Sequence, residues 1–289
     1  MSNTSIEPNS RISHNEKSPV YYFDASSSRY DYALEDLKRA FARPKLIWSL
    51  IRTGFFTRYH GTILGGLWVT ATTALTVSGL AVLYGQIFGA DLSKYFPYVA
   101  VGIVVWGLIS TIINDGASVF LAASGTFTQS PIPKSLFVVR AIGIAALGFC
   151  YKLIVIAVVV FAVGLRPSLG DVGLSFLGLL MVVWTGFWFA LGIGTIGTRF
   201  RDVGQLTAAG LTFAFFVTPV FWQASRLGEY QFVVQYNPLA HFLNVVRGPL
   251  LGLDGVMNSF IWAGGFSILA TVFGVVTFGY FARRLCYWS

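Results

Sequence analysis

Six apolar stretches divide the chain, at 63–88, 96–121, 136–163, 172–196, 206–221 and 260–281, with few polar residues inside them. A hydrocarbon core about 30 Å thick is crossed by about 20 helical residues rising 1.5 Å each, so most of these stretches span with tilt to spare. The fifth is marginal and is interrupted at Pro219. The pattern predicts an all-α integral membrane protein with six transmembrane helices and both termini on one side of the bilayer.

Ahead of the first stretch the apolar residues take a helical period. Leu34, Leu37 and Phe41 fall opposite Glu35, Asp36, Lys38 and Arg39; after Pro44, Ile47, Ile51 and Phe55 share a face, with Lys45, Arg52 and Arg58 on the basic side. This predicts amphipathic interfacial helices over 30–60, lying in the plane of the membrane surface, although the same spacing would serve a soluble cap on another protein. The Ser- and Asn-rich residues 1–29 read as a disordered cytosolic tail without the apolar core of a cleavable signal peptide. The six-span domain takes 61–284, and 285–289 form a cytosolic C-terminus.

The stretch 198–247 departs from an ordinary span. It opens on Arg199-Phe200-Arg201-Asp202 and breaks at Pro219, and beyond it lie the short apolar pieces 232–234 and 239–246, bounded by Pro238 and Pro249. Neither piece reaches the roughly 17 residues a crossing needs. Arg226, Glu229 and Arg247 would be costly in lipid, since a central Arg costs roughly 2.5–3.5 kcal/mol. A re-entrant helix pair between helices 5 and 6 fits, because broken backbone at membrane depth is tolerated only where protein buries it or a polar cavity borders it. An amphipathic cap with no path beneath it is the other reading.

Composition sharpens the class. Of 289 residues, 55% are hydrophobic and 11% charged, with a mean hydropathy of +0.68, too apolar for a soluble domain. The net charge of +8 is spread singly between apolar segments, which argues against a nucleic-acid surface and for attraction to an anionic leaflet. Arg52, Arg58, Lys134, Arg140, Arg199, Arg201, Arg283 and Arg284 fall on one side of the predicted topology. Lys94, Arg166, Arg226 and Arg247 on the other side stand among Asp91, Asp171, Glu229 and Asp254. The first side is therefore expected to be cytoplasmic.

No catalytic or metal-binding constellation is legible. His14, His60 and His241 stand apart, Cys150 and Cys286 have no ligand spacing, and the phosphate-binding pattern G-x-x-x-x-G-K-[ST] is missing from the sequence. Energy from a nucleotide would need another subunit. Asp115 lies within the second stretch and is expected to pair with Arg140 or Lys152; Lys152 lies in the interior of its own stretch, too deep to reach water easily. Trp222 and Tyr236, near stretch ends, suit interface anchoring, whereas Trp106, Trp184, Trp188, Phe215 and Phe216 lie deeper. These deeper rings could line a channel for sugars, or simply pack helices. The loop 126–135, with Thr126, Gln129, Pro131, Pro133 and Lys134, is stiffened by its prolines. It suits either transmission of force from a cytosolic partner or a plain helix stop.

Taken together, Arg58-Tyr59-His60-Gly61-Thr62-Ile63-Leu64-Gly65-Gly66-Leu67-Trp68, Phe200-Arg201-Asp202-Val203, Thr218-Pro219-Val220-Phe221-Trp222, Tyr236-Asn237-Pro238-Leu239 and Arg247 resemble the membrane subunit of polysaccharide-exporting ABC transporters. That family serves O-antigen, capsule and teichoic-acid export, and the Phe-Arg-Asp-Val fragment is most similar to the O-antigen branch. The resemblance runs from about residue 50 to 284. It implies a homodimer in the bacterial inner membrane, docked on two copies of a cytosolic ATPase that binds ATP and Mg, with no cofactor held by this chain.

The substrate implied is a lipid-linked polysaccharide on undecaprenyl pyrophosphate. Arg52 and Arg58 are then the expected contacts for the pyrophosphate, or for ordinary anionic lipid. Thr126, Gln129, Pro131, Pro133 and Lys134 fall in the coupling loop, and Pro219, Trp222, Tyr236, Asn237, Pro238 and Arg247 in the outer gate. Two rival readings are a secondary transporter, which would show paired broken helices in an internal repeat, and a membrane glycosyl- or acyltransferase, which would need a carboxylate or histidine cluster.

Overall fold

The computed structural model describes residues 29–127 and 132–288, and among these it is helical throughout, with no strand. Residues 1–28, which make up nearly all of the expected tail, lie outside the described residues, as do Gln129 and Pro131. Twelve α-helices follow in order: α1 (Arg29–Phe41), α2 (Pro44–Arg58), α3 (Leu67–Phe88), α4 (Leu92–Ala122), α5 (Ser124–Phe127), α6 (Ser135–Val163), α7 (Leu169–Arg199), α8 (Val203–Val217), α9 (Phe232–Gln235), α10 (Pro238–Leu251), α11 (Val256–Phe281) and α12 (Leu285–Trp288). Two short 3-10 turns, Ala224–Gln231 and Ala282–Arg284, complete the chain.

Five of these helices, α3, α4, α6, α7 and α11, are long and apolar enough to cross a membrane. Helix α8 is not. Its 15 residues rise about 22 Å against a core of about 30 Å. The apolar run 206–221 is therefore not one helix; it stops at Val217, two residues before Pro219, because the residue preceding a proline is pushed out of the helical region.

Local chemistry sets the other helix starts. Asp91 accepts from the Ser93 backbone N–H at 3.0 Å to begin α4, and Ser168 and Asp171 form a reciprocal capping box on α7. Pro238 takes the first position of α10 after Asn237, whose side chain accepts from the Leu239 N–H at 2.9 Å. Helix α4 is the centre of the bundle, with α3, α6, α7, α8 and α10 packed around it. Its apolar window is 67% buried against 17% for α3, so α4 is cased in protein while α3 presents most of its surface outward.

The two N-terminal helices behave differently. On α2 the expected face is the buried one: Ile51 and Phe55 pack with Ile144, and the Phe55 ring stacks on Tyr151 at 5.3 Å. On α1 the face packed against the protein is a different one. Leu34 and Phe41 are exposed, and the buried residues are Ala33, Asp36 and Ala40. Small side chains let α1 sit close to the ends of α6 and α11, and the carboxylate among them is tolerated because it is fully hydrogen-bonded.

Candidate functional site

At one end of the bundle the broken backbone after α8 is held against α4 and α10. Thr218, Pro219, Val220 and Phe221 are buried, so their carbonyls need partners from protein. Arg247 of α10 donates from Nη1 to the Pro219 carbonyl at 2.9 Å and to that of Val220 at 3.3 Å. Tyr95 donates its hydroxyl to the Phe221 carbonyl, and the Tyr98 hydroxyl reaches the carbonyls of Trp222 at 2.9 Å and Pro219 at 3.3 Å. Two tyrosines and one arginine thus satisfy four consecutive carbonyls.

The Arg247 guanidinium lies 3.8 Å from the centre of the Tyr98 ring, which shields the charge from surrounding hydrocarbon. Gly102 completes the fit, because a Cβ there would come within 2.2 Å of the Val220 oxygen.

Of the residues expected at an outer gate, Pro219, Trp222 and Arg247 meet at this junction. Asn237 joins it through Thr218, donating from Nδ2 to Oγ1 at 3.0 Å, while Pro238 opens α10. Tyr236 points elsewhere, edge-on to Trp262 at 6.2 Å. Tyr95 and Tyr98 were not among the expected residues; their three-residue spacing around Pro97 places both on one face of α4 and was the available signal. His241 is likewise built in, stacked on Trp262 and bonded to the Gln235 carbonyl at 2.8 Å.

The five deeper aromatics fall into two groups. Trp106 and Phe215 pack ring to ring at 5.7 Å, with Phe216 beside Phe215 on α8, whereas Trp184 and Trp188 lie on α7 with the Trp184 indole donating to Thr271 of α11 at 3.2 Å. None of them borders the cavity of about 600 Å³ lined by α4, α7, α8, α10 and α11. Its walls are nearly all apolar, including Ile112, Val182, Leu211, Phe242 and Phe273, with Thr185 and Thr207 as hydroxyl-bearing exceptions. Only Leu211 of α8 is buried, so that helix stands off from the bundle and leaves this space.

At the opposite end, Arg58 at the close of α2 pairs with Asp115 of α4 at 3.1 Å. This corrects the expectation that Asp115 would meet Arg140 or Lys152: α2 packs along α6, from Ile51 at Gly143 to Phe55 at Tyr151, and delivers its last residue to α4. Lys152 instead lies against Gly107, where a Cβ would come within 2.7 Å of Nζ. Arg52 is exposed on the outer side of α2. In the connection between α4 and α6, Thr126 is exposed while Pro133 and Lys134 are buried. Among the described residues no cluster of His, Cys, Asp and Glu is grouped as a metal site would require.

A model of the ABC-2 type transporter family matches residues 45–251, spanning α2 to α10 almost in full. The chain belongs to that family. It is therefore a multi-pass membrane protein and a membrane component of a transporter. An O-antigen export system permease protein RfbA of Klebsiella pneumoniae is 23% identical over 227 residues, covering 76% of this chain and 86% of that protein. One from Myxococcus xanthus with the same name is 22% identical over 232 residues, covering 75% and 89%. Against this ABC-2 frame, both ends of the broken segment lie inside the matched region, whereas α1 and α11 lie outside it.

Proposed function

We propose that this chain is the membrane subunit of an ATP-driven exporter for a lipid-linked polysaccharide, of the O-antigen kind, carried on a polyprenyl pyrophosphate. The observation that carries the reading is the likeness to O-antigen export permeases over about three quarters of the chain and most of their own length. In this reading ATP and Mg bind a separate cytosolic subunit, two copies of which serve a homodimer of this chain; the lack of a P-loop pattern in the sequence supports it.

In this reading the protein sits in the bacterial inner membrane with both termini cytoplasmic. Helix α8 and the broken segment after it together make the short fifth of six crossings, and 224–251 form the re-entrant element that closes the outer end. The exposed faces of α3 and α8 are where a second copy would pack, with residues such as Leu75, Phe213 and Phe216. Arg52, exposed on α2, is the better-placed contact for the carrier pyrophosphate, and Arg58 would have to exchange Asp115 for it.

Deleting the gene should remove glycan from the cell surface and leave lipid-linked glycan inside, and a plasmid copy should restore export only when the partner ATPase keeps its P-loop lysine. Normal surface glycan in the deletion strain would overturn the proposal.

A further inference from the structure

We infer that Asp36 of α1 is a positioning residue that ties the proposed coupling segment to α1, so that movement of the segment carries α1 and the end of α11 with it. The inference rests on the transporter reading above. On α1, Glu35, Lys38 and Arg39 are exposed, whereas the Asp36 carboxylate is turned into the protein and is only 7% exposed.

The buried carboxylate has a definite task. It accepts from the backbone N–H of Lys134 at 2.8 Å, from that of Ser135 at 2.8 Å and from the Ser135 hydroxyl at 2.6 Å. These are the opening donors of α6, which have no partner within their own helix, and the N-cap residue Lys134 supplies no side-chain cap of its own. A negative charge at this position is also favoured by the helix dipole. The cap of α6 thus comes from a different helix, nearly a hundred residues earlier and outside the region shared with the family.

The same two residues are held from the other side. Lys134 is buried, its ammonium donates to the Ala282 carbonyl at 2.5 Å just beyond α11, and the Tyr32 ring of α1 lies 5.6 Å from it. Tyr30 packs over Gly279 of α11. Of the described residues between α4 and α6, Thr126 is exposed, whereas Pro133 and Lys134 are buried, Lys134 against α1 and the end of α11. A displacement of Lys134 and Ser135 reaches both helices, α1 through Asp36 and the end of α11 through the Lys134 ammonium.

The test uses the full complex with its ATPase subunit in proteoliposomes, measuring ATP hydrolysis and glycan export in one preparation and amide exchange across 132–138. Asp36→Asn keeps the size but turns an acceptor into a donor facing Ser135, so export should fall about tenfold while hydrolysis stays within about twofold. The amides of Lys134 and Ser135 should exchange faster. Ser135→Ala, which removes only one of the three hydrogen bonds, should shift the same ratio less. Export and hydrolysis falling in equal proportion, unchanged coupling in both variants, or unchanged exchange at 134–135 would each overturn the inference. If the parent complex itself fails to export glycan, the transporter reading fails instead, and the exchange measurement still decides whether Asp36 holds the segment.

Discussion

The two ends of the bundle solve the same problem with opposite charges. At one end Tyr95, Tyr98 and Arg247 donate to four carbonyls in a row; at the other Asp36 accepts from two backbone N–H groups and a hydroxyl. Each removes the penalty of orphaned backbone in an apolar setting. The difference lies in where the partners stand. Tyr95 and Tyr98 belong to α4, the most enclosed helix, and Arg247 to α10, itself buried against α4, α7 and α11. Asp36 belongs to a peripheral 13-residue helix resting on the ends of α6 and α11. The first junction is part of the frame; the second is a tie between parts that can shift relative to each other.

Removing the frame junction should therefore have the largest effect on stability. Arg247→Leu keeps bulk but leaves the Val220 carbonyl without a donor and the Pro219 carbonyl with only Tyr98. Each unsatisfied buried group costs about 1–3 kcal/mol, so a loss of about 2–4 kcal/mol is expected. Thermal unfolding of the detergent-solubilised protein should show it as a lowered midpoint, and Arg247→Lys, with one compact donor group, should fall between. Asp36→Ala should lower the midpoint less than Arg247→Leu. The reverse order would undo the distinction between frame and tie.

How much of this was legible in the sequence follows from what each feature depends on. Five long helices announced themselves by length and apolarity, and the break after α8 by Pro219, because both are local properties. The buried face of α2 was legible for the same reason: Ile51 and Phe55 follow the helical period and no polar contact competes. The burial of Asp36 on α1 was not legible because it is decided by Ser135, about a hundred residues away, which no local period encodes. Arg247 stood out by its charge, but its partners were hidden among the tyrosines of an otherwise uniform apolar run. The cavity depends on how far α8 stands from its neighbours, and of its lining only Pro238 was among the candidate site residues singled out from the sequence.

Gly102 gives a sharper and smaller test of the same junction. A Cβ on residue 102 would lie 2.2 Å from the Val220 oxygen, a backbone atom that is itself held by Arg247 and cannot swing aside. Gly102→Ala should cost about 1–3 kcal/mol by forcing the segment away from α4. Gly264 in the interior of α11 has nothing within 4 Å of the equivalent position, so Gly264→Ala should be neutral or stabilise by up to about 1 kcal/mol. Equal responses at the two glycines would mean that the segment does not press against α4.

The smallest effect on stability is expected at Arg58 and Asp115, where the two side chains are 50% and 29% exposed. Partly exposed ion pairs contribute about 0–1 kcal/mol, so neither Asp115→Asn nor Arg58→Gln should move the unfolding midpoint much. Their value lies in export. If Arg58 leaves Asp115 to meet the carrier pyrophosphate, Arg58→Gln lowers export while Asp115→Asn leaves it unchanged or raises it, since the cation is no longer held back. Exchanging the two residues, Arg58→Asp with Asp115→Arg, rebuilds the pair but moves the cation from α2 to α4. Export that returns with the exchanged pair would make the contact a latch between the two helices and remove Arg58 from the phosphate site, leaving Arg52 and Lys45 as the exposed cations that α2 offers.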